Sequence, residues 1–355
     1  MATSFKTFND KDSVVTRNLL HEALPITGTI GSGTYADNNI KNFSHGMFQS
    51  VYDYPFLSSS ANHIFDLTCG YSSVSLLSAS NSSQNAKKIN IYNQMAQVLA
   101  GFNENGAVRQ FDEDGDLSGG SKINNAYFFN MSRLLTKDEI KKGSFTLTMG
   151  LGEGYPLPAA TGTVGITDLN GINSYKVNSP AGEYGILYAT GSLIKDGVTE
   201  RVSGGDYVKA GLLYYQAGVA VLTASLFDDY LDTPVQFNAA GNTVLHELSG
   251  AVISNNCNSI RHRINNLSFN NTVELNSTIY FCRVNNTDFN YTSNPTYLSS
   301  SKIVVKNNAQ DLPVTYVTTV GLYSGDNELL AVAKLSEPLK NDPTTEFNIR
   351  VRLDY

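Results

Sequence analysis

Eighteen consecutive residues, Ala210 to Phe227 (AGLLYYQAGVAVLTASLF), carry no charged side chain. A run of this length has to be hidden from water, either inside a bilayer or inside a folded core. Its composition decides between the two. Gln216, Thr223, Ser225 and two glycines dilute its apolar character, Tyr and Val favour strands, and Gly218 interrupts it near the middle. The run predicts two buried strands about a turn or bulge at Gly218 rather than a membrane helix. Such strands commit the chain to a sheet-based core.

Strand signals recur elsewhere. Phe145, Leu147 and Met149 alternate with Ser and Thr, and Tyr184–Ala189 and Ser277–Val284 are apolar, aromatic and β-branched. Val314–Tyr323 and Glu328–Leu335 flank Ser324-Gly325-Asp326-Asn327, a hairpin signature. Phe347, Ile349, Val351 and Leu353 alternate with Asn348, Arg350, Arg352 and Asp354, which predicts a strand with one buried and one wet face. Helices are few. Ile91, Tyr92, Met95, Val98 and Leu99 share one helical face over Ala86–Ala100, with Ser82 or Ser83 as cap and Gly101 as stop. Thr136 and Glu139 have capping-box spacing, which predicts a short helix over Lys137–Lys142 before Gly143.

The expected class is therefore mainly β with a few helices (α+β). A mixed α+β part over 1–150 precedes a mostly antiparallel, sandwich-like β part over 151–355. The boundary is placed at Gly150–Gly162 (GLGEGYPLPAATG), although the length also allows one large domain. Asn-rich loops are expected to be densest from Asn255 to Asn294.

Charge narrows the function classes. Only 16 % of the 355 residues are charged, against roughly 25 % in ordinary soluble proteins. Neutral amides and hydroxyls supply the polarity instead. The net charge of −7 argues against nucleic-acid binding, which needs clustered Lys and Arg. Cys69, Cys257 and Cys282 form no disulfide framework, and no apolar secretory segment follows Met1. Assembly in a reducing cytoplasm is the expectation.

No reactive constellation emerges. The five histidines (His21, His45, His63, His246 and His262) are scattered. His246-Glu247 opens like a zinc-protease helix, but Gly250 stands where the second His is required. His262 between Arg261 and Arg263 reads as a surface or interface residue, and His45 lacks a nucleophile elbow to serve. Gly150-Leu151-Gly152-Glu153-Gly154 fails as a phosphate loop. Glu153 repels phosphate, and Tyr155-Pro156 follows where a helix should start. Asp112, Asp114 and Asp116 alternate in the one dense acidic cluster, a spacing that suits Ca²⁺. An EF-hand loop would want Gly at 117 and Glu at 123, where Leu117 and Ile123 stand, and an exposed acidic turn closing onto Gly119-Gly120 is the plain alternative. No catalytic residue, cofactor-binding residue or metal ligand is assigned.

Ala86–Leu99 (AKKINIYNQMAQVL), Phe289–Tyr297 (FNYTSNPTY) and Thr315–Leu339 (TYVTTVGLYSGDNELLAVAKLSEPL) resemble virion structural proteins of large contractile-tailed phages of marine bacteria and cyanobacteria. Val320-Gly321-Leu322-Tyr323 followed by Leu329–Ala333 is similar to a hairpin of phage tail and fibre-attachment proteins, and Asn39–Ile64 and Leu134–Leu147 share the likeness. The resemblance implies a non-enzymatic virion component of the tail, baseplate or neck, assembled in the host cytoplasm. Its partners would be copies of itself and other virion proteins, not nucleic acid or membrane. The alternative is a receptor- or carbohydrate-binding fibre or head-decoration protein that meets a host surface receptor. A charge-poor surface suits assembly, because little charge has to be desolvated between subunits.

Overall fold

The computed structural model describes residues 5–25, 37–79, 83–117, 119–151, 162–190, 199–202, 205–227, 248, 252–289, 295–299, 302–303, 312 and 314–355. The chain is mainly β with a few helices, built on antiparallel sheet. Its principal strands are β1 (Ser13–Pro25), β2 (Ile40–Asn42), β3 (Gln49–Tyr52), β4 (His63–Tyr71), β5 (Asn125–Met131), β6 (Thr146–Leu151) and β7 (Gly162–Thr167). They continue through β8 (Gly182–Thr190), β9 (Gly205–Tyr214), β10 (Val219–Thr223), β11 (Ile264–Val284), β12 (Thr315–Tyr323), β13 (Leu329–Asn341) and β14 (Phe347–Asp354). Two helices matter most, α1 (Ser83–Leu99) and α2 (Ile253–Arg263). No helix among the described residues is long and apolar enough to cross a membrane.

Contacts divide the chain into two compact units, Leu20–Val273 and Met1–Leu19 with Glu274–Tyr355. The division does not fall at Gly150–Gly162. That stretch lies between β6 and β7, which pair with each other in one sheet from Gly162↔Leu151 to Thr167↔Thr146. Residues 152–161 of the stretch lie outside the described residues.

In the larger unit the sheet runs β2-β3-β4-β5-β10-β9-β8-β7-β6 and ends on the first part of β11. The uncharged run forms the two strands expected of it. β9 ends at Tyr214, and Gly218 turns the chain back with φ +67° while its N–H bonds Tyr214 O at 2.9 Å. β10 then pairs with both β9 and β5. Ala126, Tyr127, Phe128 and Phe129 of β5 are all buried, so this strand is covered on both faces.

Helix α1 lies against β4, and Gly70 permits the approach. A Cβ there would stand 2.6 Å from Lys88 O and 2.9 Å from Tyr92 N. The buried stripe runs through Asn85, Lys88, Ile91, Tyr92, Ala96 and Leu99. It keeps Ile91, Tyr92 and Leu99 of the expected face, with Met95 partly buried, and departs from it at Val98, which is 64 % exposed. Two of its buried positions are polar, which a count of apolar residues does not register. Lys88 is buried because its ammonium donates to Leu248 O. Gly101 ends the helix as expected, at φ +79° with its N–H on Ala96 O at 2.9 Å.

Two local expectations are corrected. The short helix spans Arg133–Thr136, not Lys137–Lys142. Lys137 adopts φ +55° and ends it, because Glu139-Ile140 are drawn into a pair with Asn271-Thr272 on β11 and Ile140 is fully buried. The Asn-rich stretch is not loop as far as Val284: it is α2 followed by the 21-residue β11, with a turn over 285–289, and 290–294 lie outside the described residues. Ile253, Asn256, Cys257, Ile260 and Arg261 of α2 are buried at helical spacing.

In the smaller unit, β11 pairs β14 from Ser277↔Asp354 to Val284↔Phe347. Ile349 and Val351 are buried while Asn348, Arg350 and Arg352 are exposed, the alternation the sequence predicted. β12 and β13 form the predicted hairpin. Ser324 N–H bonds Glu328 O at 2.8 Å, Ser324 Oγ accepts from Glu328 N–H at 3.1 Å, and Asn327 takes φ +63°.

Candidate functional site

Among the described residues, the smaller unit has a thin core. Leu322, Ile349 and Val351 are the buried members of its apolar cluster, with partly buried Tyr280, Val317, Val320 and Leu335 around them. Its hairpin presents apolar groups outward. Leu330 is 68 % and Val332 55 % exposed, and Tyr316, Tyr323, Leu329 and Leu339 are exposed as well. Strand alternation explains the split: Ala331, Ala333 and Leu335 turn inward, so Leu330 and Val332 turn out. The same unit holds a cavity of about 870 Å³ between the N-terminal segment and β12. Phe5 meets Tyr323 (ring centroids 4.8 Å apart), Phe8 meets Tyr280 (5.5 Å), and Lys6 pairs with Asp288.

In the larger unit, Phe111-Asp112 and Lys122-Ile123 pair as a two-residue ladder, and the acidic turn lies between them. Phe111 anchors it in the core against Tyr92, Phe128 and Tyr214. One carboxylate oxygen from each of Asp112, Asp114 and Asp116 lies within 4.8 Å of the others. Lys122 Nζ donates to Asp112 Oδ2 at 2.7 Å, and Asp116 N–H donates to Asp114 Oδ1 at 3.2 Å. Burial pushes the Asp114 carboxyl up, but the Asp116 N–H and its other partners outweigh that and hold it below the usual carboxylate range.

The three histidines whose side chains are described, His21, His45 and His63, do not converge. His21 Nδ1 lies 3.1 Å from Thr272 Oγ1, and His45 stacks on Phe43 while accepting from Met47 N–H at 3.0 Å. His63 Nε2 lies 2.8 Å from Asp66 Oδ1, which also accepts from Ser50 Oγ. The carboxylate thus stands between serine and imidazole, so the order needed to activate a serine is missing there. His246 and the side chain of His262 lie outside the described residues. Cys69 and Cys257 are buried free thiols, and burial pushes the Cys69 thiol up to about 12.

Asp168 is a buried carboxyl that no local pattern singled out. Its oxygens accept from Gly143 N–H (2.6 Å), Phe145 N–H (2.9 Å) and Tyr215 OH (3.2 Å). Burial nevertheless pushes it up to about 6, against the pull of those donors. The folded-state value lies above the ordinary 3.8, so the stabilisation is complete below about pH 4 and is lost as pH rises through 6. Relative to Asp168→Asn, the wild type is expected to lose about 2 kcal/mol of stability between pH 4 and pH 7. Urea titrations of both proteins across that range measure it, and a pH-independent difference refutes it.

No family model matches the chain, and no curated protein or solved structure gives a significant match.

Proposed function

We propose that this chain is a non-enzymatic structural component of a tailed-phage virion, in the tail, baseplate or neck, that works through subunit–subunit interfaces. The observation that carries the reading is the apolar outer face of the β12–β13 hairpin, set on a unit with few buried apolar side chains of its own. Covering Leu330 and Val332 would add apolar burial to a unit whose own described core is small. The occupant this reading commits to is another copy of the chain. The sequence likeness of Thr315–Leu339 to phage tail proteins falls on this same hairpin.

The wild-type chain is expected to sediment as an oligomer at micromolar concentration. Leu330→Asn combined with Val332→Asn is expected to weaken association by about a hundredfold or more, since each buried aliphatic side chain contributes roughly 1.5–3 kcal/mol. Sedimentation equilibrium, with circular dichroism to check the fold, reads both. A wild type that stays monomeric removes the reading. Binding of that monomer to host cells or glycans would favour the receptor-binding alternative, for which the aromatic-lined cavity beside Tyr323 is the feature to test.

A further inference from the structure

We propose that Asp112, Asp114 and Asp116 form a Ca²⁺ site, separate from the assembly surface. The clustering of three carboxylates does not carry this alone. Asp112 is only 1 % exposed, and no donor among the described residues reaches its Oδ1. A buried carboxylate oxygen left without a donor is costly, and a cation is the partner such an atom lacks.

That oxygen points into the cluster. The position a Cβ would take on Gly120 lies 3.7 Å from Asp112 Oδ1 and 3.2 Å from Asp114 Oδ2. Both oxygens therefore border the same space, which glycine leaves open. Lys122 holds the other oxygen of Asp112 and so keeps Oδ1 turned this way.

Donor chemistry selects the ion. Ca²⁺ accepts a flexible shell of hard carboxylate oxygens, whereas Mg²⁺ demands near-ideal octahedral geometry and dehydrates reluctantly. The three carboxylate oxygens, all within 4.8 Å of one another, are close enough to share one ion. The three carboxylates outnumber the two ammonium groups that act on them, Lys122 and Lys209, so the cluster keeps a net negative charge for a cation. Main-chain carbonyls and water would complete the shell, as Ca²⁺ takes six to eight oxygens.

Tyr184 supplies a reporter. Its OH bonds Gly115 O at 3.1 Å, and the chain has no Trp to compete. Tb³⁺ added to the full chain is expected to give tyrosine-sensitised emission that saturates at one ion per chain and is displaced by Ca²⁺ more readily than by Mg²⁺. Tyr184→Phe is expected to dim that emission while calorimetry still shows saturable Ca²⁺ binding. Asp112→Asn and Asp114→Asn are expected to weaken Ca²⁺ by about tenfold or more. Should Asp112→Asn fail to fold, Asp114→Asn and the exposed Asp116→Asn decide the matter. The proposal is overturned if the folded wild type shows no saturable Ca²⁺ binding. Affinity unchanged in the folded variants, or Mg²⁺ binding as tightly as Ca²⁺, also overturns it.

Discussion

Gly211→Ala is expected to cost on the order of 4 kcal/mol or more, enough to unfold the larger unit at moderate urea. An alanine Cβ at this position would lie 1.9 Å from Val221 O and 2.9 Å from Val221 C. Both are backbone atoms of the neighbouring strand, so no side chain can rotate away. β9 would have to part from β10 where Gly211 pairs Leu222 and Leu212 pairs Val221. The other edge offers no relief. Gly211 stands opposite Leu187 and Lys209 opposite Tyr188, so Ala210 is the extra residue of a bulge and the ladder is already bent there. The midpoint of urea unfolding measures the effect. A loss below about 1 kcal/mol would mean that the two strands separate freely at this point.

Phe128→Ala comes next in size, with an expected loss of about 3–5 kcal/mol. Phe128 is fully buried on the central strand β5, with its ring 5.8 Å from Phe111 and 6.3 Å from Tyr92. Phe111 in turn touches Tyr214, which stacks on Tyr184 at 4.9 Å. These rings join helix α1, the sheet and the base of the acidic turn. Their neighbours are held by strand pairing and cannot collapse far into a cavity, which puts the cost toward the upper end. Phe128→Leu keeps much of the volume and is expected to cost less than half as much. Tyrosine fluorescence during urea unfolding follows both, and equal losses for the two variants would show that cavity volume is not the cause.

Much of the fold was legible locally. Gly218 between two uncharged runs, Ser324–Asn327 between alternating runs and Gly101 after an amphipathic stretch each act within a few residues. Turn chemistry and side-chain period need no distant partner to express themselves, so these elements formed where the sequence placed them. The displaced helix at Arg133–Thr136 shows the limit. The Thr136/Glu139 spacing did not start a helix over Lys137–Lys142, because Ile140 is buried in a strand pair with β11, more than a hundred residues on. The helix over Ile253–Arg263 was hidden for a related reason, since its buried stripe includes Asn256 and Arg261.

The candidate sites divide in the same way. The sequence by itself determined the β class, the two strands about Gly218, the hairpin at Ser324–Asn327 and the acidic spacing at 112, 114 and 116. These are properties of neighbours along the chain. Only the tertiary structure decided which face of the hairpin leaves Leu330 and Val332 in water, that Asp168 is buried with Tyr215 OH as a donor, and that among the described residues Asp112 keeps an oxygen without a donor. Burial of a polar atom depends on what the rest of the chain brings to it. Lys122 answers one oxygen of Asp112 and Gly120 leaves open the space before the other, and that difference exists only once the strands have paired.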